Sequence, residues 1–388
     1  MTRVRVLHII TQLELGGAQQ TTLELLRRLE PNRYQVTLIA APGGPLEADA
    51  RAIPHVEVVT VPSLVRPLRP WRDVGCIREL TRVMRQRRYE LVHTHSSKAG
   101  ILGRWAAHRA GVPVICHTIH GFAFHPYQPR WIHRAYQMIE RQTARTTTHL
   151  ISVSRHDERT GLAAGIGRPE QYHYIPYGID VGWFHPNGLS QQSARTRLGL
   201  RPEAPTIGTI ACFKPQKAPQ DFLAACEQLR QRVPSIQCVM VGDGVLRPQI
   251  ERQIRAQGLE QTVHVLGWRR DIPSVLTALD VFVLTSRWEG LPLAVLEAQA
   301  MGVPVVVTDT GGVRDCVEHG VSGFIVPIGD AEALVDRVAA LLRDSDHARV
   351  MGARAQAQVA ERFSVDRMVK DVETMYTDAL QAIGHKGA

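Results

Sequence analysis

The chain reads as an α/β protein of two Rossmann-like, doubly wound parallel-sheet domains facing a cleft. Three observations lead there. Short runs rich in β-branched residues alternate with helix-forming stretches along the whole chain, the order that places parallel strands between crossover helices. A length of 388 residues exceeds what one ordinary core serves and suits two domains. Several of the apolar runs end in glycine loops or at a polar residue, and ligands of open parallel sheets bind beyond those carboxyl ends. The expected division is residues 1–185 and 186–364. Residues ~180–200, turn-rich and polar, form the expected linker, and the final helix, within 365–388, is expected to pack back on the first domain.

The first domain begins with Val4 to Ile10, a β-rich run followed by Gly16-Gly17 and a helical stretch from Gln19 to Leu29. Backbone N–H groups in such a strand, glycine loop and helix can approach a phosphate closely. Neither the GxGxxG spacing nor a Walker lysine is present, so a dinucleotide or P-loop site is unsupported, and a plain tight turn accounts for the glycines equally well. Strands are expected at 35–40, 57–61, 91–95, 113–121 and 150–154, with a helix over 74–85. His93 and His95 share one face of their strand; with no carboxylate ligand nearby in sequence, buried or supporting roles are expected rather than a metal pair. His120 differs, because it falls at a strand's carboxyl end beside Gly121, where catalytic groups collect.

In the second domain, strands are expected at 206–211, 237–241, 263–266, 281–284, 303–308 and 323–327. The most informative stretch is TSRWEGLPLAVLEAQAMG, from Thr285 to Gly302. It follows a buried run, Val281-Phe282-Val283-Leu284, and passes through a loop into a helix that Pro292 opens and Gly302 ends. Glu289 lies in the loop beside the helix start, whose free N–H groups and positive dipole end attract phosphate or sugar oxygens. Glu297 follows within the helix and can accept hydrogen bonds from a second hydroxylated unit. Lys214 and Lys217 stand between a strand and a helix, where cations neutralise phosphate oxygens. Gly242 and Thr310-Gly311-Gly312 add glycine loops at the same edge.

The composition, 44% hydrophobic and 21% charged, is that of a soluble globular protein. Basic residues exceed acidic by 46 − 37 = 9, so anionic partners are attracted, and phosphorylated small molecules, acidic lipid surfaces and nucleic acid all qualify by charge. Residues 62–88 and 130–145 carry much of the excess, mixed with Trp, Leu, Met and Tyr; either a solvated helix face or a membrane-surface region fits them. Six cysteines without CxxC pairing read as free thiols of a reducing cytoplasm. The N-terminal apolar stretch is too short for a signal peptide, and no run reaches the ~18 apolar residues of a membrane span.

The ordered series YIPYGID, FKPQKAP, VMVGDGVLRPQIE, VHVLGWRRDI, SRWEGLPLAVLEAQAMGVPVVVTDTGG and GVSGFIVP resembles the family 4 glycosyltransferases of the two-domain GT-B type. The resemblance covers nearly the whole chain. It implies a cytoplasmic enzyme, peripheral at the inner face of the cell membrane, that moves a sugar from a nucleotide donor, expected to be UDP-linked, to a glycan or lipid-linked acceptor in cell-surface polysaccharide or glycolipid assembly. Retention at the anomeric carbon, no cofactor, no obligatory metal and no nucleic-acid partner are implied with it. The first domain would bind the acceptor and the second the nucleotide sugar.

By the same resemblance Glu289 holds donor-sugar hydroxyls, Glu297 holds the ribose, and the backbone around Gly290, Leu291, Leu293 and Ala294 approaches sugar and phosphate. Lys217 meets the diphosphate, the loop at Gly16 and Gly17 closes over donor and acceptor, His120 lies near the reacting sugar, and the base is held near Trp268 and Arg269. At Cys212, where most relatives carry an arginine beside the diphosphate, a thiol cannot supply a bidentate cation; Lys214 is a candidate replacement. Two other readings fit the architecture: a nucleotide-sugar epimerase, and a non-catalytic glycosyltransferase-like binding subunit.

Overall fold

The structure, a computed structural model, describes residues 3–384. The chain forms two units. The first runs to Gly178 and takes up the chain again from Val365, and the second is Ile179–Ser364.

The sheet of the first unit is built from β1 (Val4–Ile9), β2 (Tyr34–Ala40), β3 (Val56–Thr60), β4 (Leu91–His95), β5 (Val114–Ile119), β6 (His149–Ser152) and β7 (Tyr172–Tyr174). The strands lie in the order 3-2-1-4-5-6-7, each parallel to its neighbours, so the order reverses between β1 and β4. Crossover helices cover both faces, which is why these strands are apolar runs rather than alternating ones. In the second unit β8 (Thr206–Ile210), β9 (Gln237–Val241), β10 (Val263–Gly267), β11 (Val281–Leu284), β12 (Val305–Thr308) and β13 (Phe324–Val326) lie in the order 10-9-8-11-12-13, with the reversal between β8 and β11. Crevices at such reversals are where open α/β sheets bind ligands.

Two expectations need correction, and one strand lies outside those expected. The β7 strand was not anticipated: three residues followed directly by a proline-containing turn give too short a period-2 signal, and pairing with β6 supplies the strand. The first unit ends at Gly178 rather than at 185, because Ile179 forms a bridge with Ser364 and its amide donates to the Phe363 carbonyl within the second unit. The supposed linker over ~180–200 holds a helix, Gln191–Arg197, pinned to its own unit where Arg195 donates to the Ala278 carbonyl and pairs with Asp280 at 2.7 Å.

The terminal helix, Val365–Ala382, belongs to the first unit's core; residues 385–388 lie outside the described residues. Its buried residues Val365, Met368, Val369, Val372, Met375, Tyr376, Ala379 and Leu380 recur at three- and four-residue steps, one stripe of a helix. Arg33 donates to Thr377 at 2.6 Å and Arg367 to the Pro176 carbonyl at 2.7 Å, tying its two ends down.

One ion pair of the first unit is sealed from solvent. Arg104, on the helix Ser97–Ala110, meets Glu140, on the helix Arg130–Ala144, at 2.7 Å, with side-chain exposures of 0% and 5%. The guanidinium also donates to the Gly100 carbonyl at 2.8 Å.

Candidate functional site

In the second unit the sequence-nominated residues gather at the carboxyl edge of the sheet, on two loops laced together. The loop after β8 carries Lys214, the short turn Pro215–Lys217, and then Ala218; the loop after β11 carries Thr285 to Pro292. The Arg287 amide donates to the Gln216 carbonyl at 2.8 Å, and the Gln216 side chain returns a bond to the Trp288 carbonyl at 2.8 Å. The Thr285 hydroxyl reaches the carbonyls of Lys217 and Ala218. Ala218 is held at φ +44°, a left-handed conformation that non-glycine residues seldom adopt, and it is buried. The lacing aims Lys217 at Glu289: the ammonium pairs with the carboxylate, whose side chain is only 6% exposed. The Ser286 hydroxyl donates to the same carboxylate oxygen at 2.5 Å, and the Thr308 hydroxyl holds the Ser286 carbonyl from β12. Ser286 and Thr308 escaped the sequence reading, since isolated hydroxyl residues near strand ends are common.

Two glycine loops close in on these residues. Gly311 has φ +48°, and a Cβ there would lie 1.8 Å from the Glu289 carbonyl oxygen, so only glycine permits the approach. The Gly312 amide then donates to the Gly290 carbonyl at 2.8 Å. Gly242, at φ +132°, sits where a Cβ would come within 2.0 Å of the Ala211 carbonyl oxygen, bringing the loop after β9 against the loop that carries Cys212. Cys212 is half-buried and accepts from the Lys214 amide through its carbonyl. Trp268, 44% exposed, and Arg269, which pairs with Asp271 at 2.7 Å, follow β10 along the same edge.

The helix Leu293–Ala300 is buried along Val295 to Ala300, with Pro292 as its N-cap and Gly302 at φ +71° beyond its end. Gly290, Leu291, Leu293 and Ala294 lead into it, Leu293 and Ala294 only partly covered. Glu297 lies within the buried run, and loss of water pushes its carboxyl up from 4.5 to about 7. The sign of the linkage follows. Below about pH 4 the carboxyl is protonated in the folded protein and mostly so in the unfolded chain, and little penalty applies. As pH rises to 7 the unfolded chain ionises first, and the folded state loses up to roughly 3 kcal/mol. Glu297→Gln is therefore expected to raise the melting temperature of the ligand-free protein at pH 8 and leave it nearly unchanged at pH 4; melts at the two pH values check this.

In the first unit His120 follows β5 and is half-buried, with Gly121 at φ +99° after it. Its Nδ1 meets the Tyr177 hydroxyl at 2.7 Å, and its Nε2 meets Nδ1 of His95 at 3.2 Å. Enclosure drives its basicity down to about 3, so the ring is a neutral imidazole at physiological pH. A cavity of about 200 Å³ opens at this edge, bordered by His120, Gly121, Ala18, Ser96 and Ser97. Gly16 caps and Gly17 opens the helix Gly17–Arg28, whose Ala18 borders this cavity. Ser96 caps the helix Ser97–Ala110 at φ +61°, ψ +154°, a region nearly confined to glycine and costing about 1–3 kcal/mol. Its hydroxyl is bonded to Thr11 at 2.8 Å. A strained serine at a strand's carboxyl end has no mark in the sequence.

The sequence reading left His93 and His95 without a third ligand; the sheet provides a third histidine. β1 lies beside β4, and His8 enters the group, the three rings having nitrogens within 4.8 Å of one another.

Comparison with known proteins matches the two halves to two family models: Glycosyl transferase 4-like domain over residues 16–178, and Glycosyl transferases group 1 over residues 190–358. Over 382 residues the chain is 31% identical to the UDP-Gal:alpha-D-GlcNAc-diphosphoundecaprenol alpha-1,3-galactosyltransferase of Escherichia coli, covering 97% of each. It is 29% identical over 332 residues, 84% of this chain and 86% of the other, to the putative glycosyltransferase EpsD of Bacillus subtilis. Among solved structures, Anabaena Alr3699/HepE in complex with UDP and glucose superposes with a TM-score of 0.84 at 23% identity, covering 97% of this chain and 100% of that one.

Proposed function

The chain belongs to the group 1 glycosyltransferases of family 4 and has their GT-B fold, and from that premise we propose that it is a retaining, metal-independent transferase taking a UDP-sugar to a lipid-linked glycan acceptor. The second unit binds the donor and the first the acceptor. The observation that carries the donor half is the Lys217–Glu289 pair, set between two loops at the strand-order reversal beside the start of the helix Leu293–Ala300.

As the glycosidic bond breaks, the departing nucleoside diphosphate gains negative charge. Lys217, the free amides at Leu293 and Ala294 and the glycine loops supply positive potential there, placed before reaction, which is why no metal is required. Glu289 then holds the donor sugar's hydroxyls, Glu297 the ribose, and the backbone near Trp268 and Arg269 the base. His120, a neutral imidazole whose nitrogens meet Tyr177 and His95, bonds a sugar oxygen by exchanging the Tyr177 contact for it. The acceptor hydroxyl attacks on the face from which the diphosphate leaves, its proton passing to the leaving phosphate; a trapped covalent glycosyl-enzyme would overturn that step. The E. coli relative's named acceptor is a diphosphoundecaprenol-linked sugar, and two basic segments of this chain present apolar side chains to solvent. Trp71 is 91% and Leu68 71% exposed between Arg66 and Arg72, and Trp131 is 72% exposed beside Arg130 and Arg134. These bring the enzyme to the inner face of an acidic membrane. Among the described residues no helix is long and apolar enough to cross one.

The test is a panel of UDP- and GDP-sugars, each with a polyprenyl-diphosphate-linked sugar and EDTA, the product's anomeric configuration read by NMR. Transfer from a UDP-sugar with retention is expected. Conversion of donor alone to its epimer, transfer only with added divalent metal, or inversion would each overturn the corresponding part. Binding to vesicles containing acidic lipid, lost on replacing Trp71 and Trp131 by serine, is the expected result for the membrane claim.

A further inference from the structure

Seven side chains of the first unit form one run of hydrogen bonds. Tyr177 Oη lies 2.7 Å from His120 Nδ1, and His120 Nε2 lies 3.2 Å from His95 Nδ1. His95 Nε2 lies 3.0 Å from His8 Nδ1, and His8 Nε2 lies 3.4 Å from the Tyr376 hydroxyl. That hydroxyl lies 2.5 Å from His93 Nδ1, and His93 Nε2 lies 2.7 Å from Thr118 Oγ1. Both nitrogens of each of the four imidazoles are engaged in the run. The members come from β1, β4, β5 and its end, the turn after β7 and the terminal helix, and the histidines other than His120 are buried along with both tyrosines.

Burial holds all four rings neutral: His8 and His120 fall to about 3, and His93 and His95 are lowered strongly. A neutral imidazole has one N–H and one lone pair. In a single run each ring must therefore accept from one neighbour and donate to the other, and only two polarities do so while also giving the Tyr376 proton an acceptor within the run. In one, Tyr177 donates and every histidine carries its proton on Nε2. In the other, Thr118 donates and every histidine carries it on Nδ1. Mixed tautomers would set two N–H groups or two lone pairs against each other between adjoining rings, or leave the Tyr376 proton without an acceptor in the run where the change falls at that hydroxyl, with the cost of an unsatisfied polar group. The adjoining cavity, bordered by His93, His95, Thr118, His120 and Tyr177, is only about 20 Å³, room for no more than about one water to interrupt the run.

We propose that Tyr376, His93, His8 and His95 are positioning residues that set, through this run, which nitrogen of His120 carries its proton. The consequence for transfer rests on the proposed role of His120 at the donor sugar; the tautomer pattern does not. Both His120 nitrogens are engaged within the run, so a sugar oxygen is met only when it takes the place of Tyr177 at Nδ1, and the polarity of the run decides whether that nitrogen offers a proton or a lone pair. The terminal helix thereby reaches the reaction through Tyr376, though it lies at the far end of the sequence.

The test uses the full-length enzyme with ¹⁵N-labelled histidine. Histidine ¹⁵N shifts, assigned by single substitutions, are expected to show one common tautomer at positions 8, 93, 95 and 120. Tyr376→Phe keeps the ring and removes the hydroxyl that joins His8 to His93. It is expected to turn the His120 signal into a tautomer mixture and to lower kcat by about ten-fold or more, the direction in which loss of a tautomer-fixing partner acts, while the donor KM stays within about two-fold. Thr118→Val, which cuts the other end, is the second variant should the first fold poorly. Unlike tautomers in the native enzyme, or an unchanged His120 spectrum in both variants, would overturn the proposal. So would a stoichiometric metal ion in the purified protein held by His8, His93 and His95, because those lone pairs would then converge on the ion. Should His120→Ala leave transfer intact, the role given to His120 fails, and the common tautomer at 8, 93 and 95 still decides the relay.

Discussion

Glu289→Gln is expected to lower kcat/KM for the donor by about 100-fold or more, the scale on which a single preorganised electrostatic contact acts. The substitution keeps the side chain's shape, so the loop from Ser286 to Pro292 should hold, but it removes the charge that Lys217 faces and one acceptor available to sugar hydroxyls. In the ligand-free protein the ammonium and the carboxylate satisfy each other; a diphosphate competes for the ammonium, and sugar hydroxyls for the carboxylate. Lys217→Met should therefore weaken UDP binding measured by calorimetry, whereas Glu289→Gln should leave UDP binding nearly intact and act on the sugar. In a double-mutant cycle the two changes should couple, because each removes the other's partner. Full activity in Glu289→Gln would remove the donor-site assignment.

The largest effect on stability is expected at Arg104 and Glu140. Replacing either alone, as Arg104→Met or Glu140→Gln, should cost about 3–5 kcal/mol, since the remaining group is left buried without its partner. The cost is large beside the 5–15 kcal/mol by which domains are typically stable. The double replacement Arg104→Met with Glu140→Leu should recover much of it, because an apolar pair of similar volume escapes the desolvation of both charges. Denaturant midpoints for the three variants check this. A loss below about 1 kcal/mol in both single variants, the scale of an exposed pair, would show that water reaches the charges.

Much of the candidate site was legible because it depends on short-range order. Glu289, Gly290 and the start of the helix Leu293–Ala300 are consecutive in the chain, and a buried strand before them and a proline at the helix cap place them at a sheet edge without further information. Strand positions were legible for the same reason: the expected 91–95, 237–241 and 281–284 coincide with β4, β9 and β11. Where the reading failed, the cause was pairing at a distance. The three residues of β7 are strand only because β6 accepts them. The helix Gln191–Arg197 looked like linker because its sequence is polar, and what anchors it is Arg195 reaching Asp280, far along the chain.

His8, His93 and Tyr376 mark the boundary between the two kinds of information. Alternating strands and helices, glycine loops and the acid pair at Glu289 and Glu297 were determined by the sequence alone, because backbone propensity and periodicity act over a few residues. Which strands became neighbours was not, and that choice put His8 beside His93 and His95 and brought Tyr376 onto them from the terminal helix. Only the tertiary structure could turn scattered histidines into one hydrogen-bonded run, since burial removes the water that would otherwise satisfy each ring separately and leaves the rings to satisfy one another.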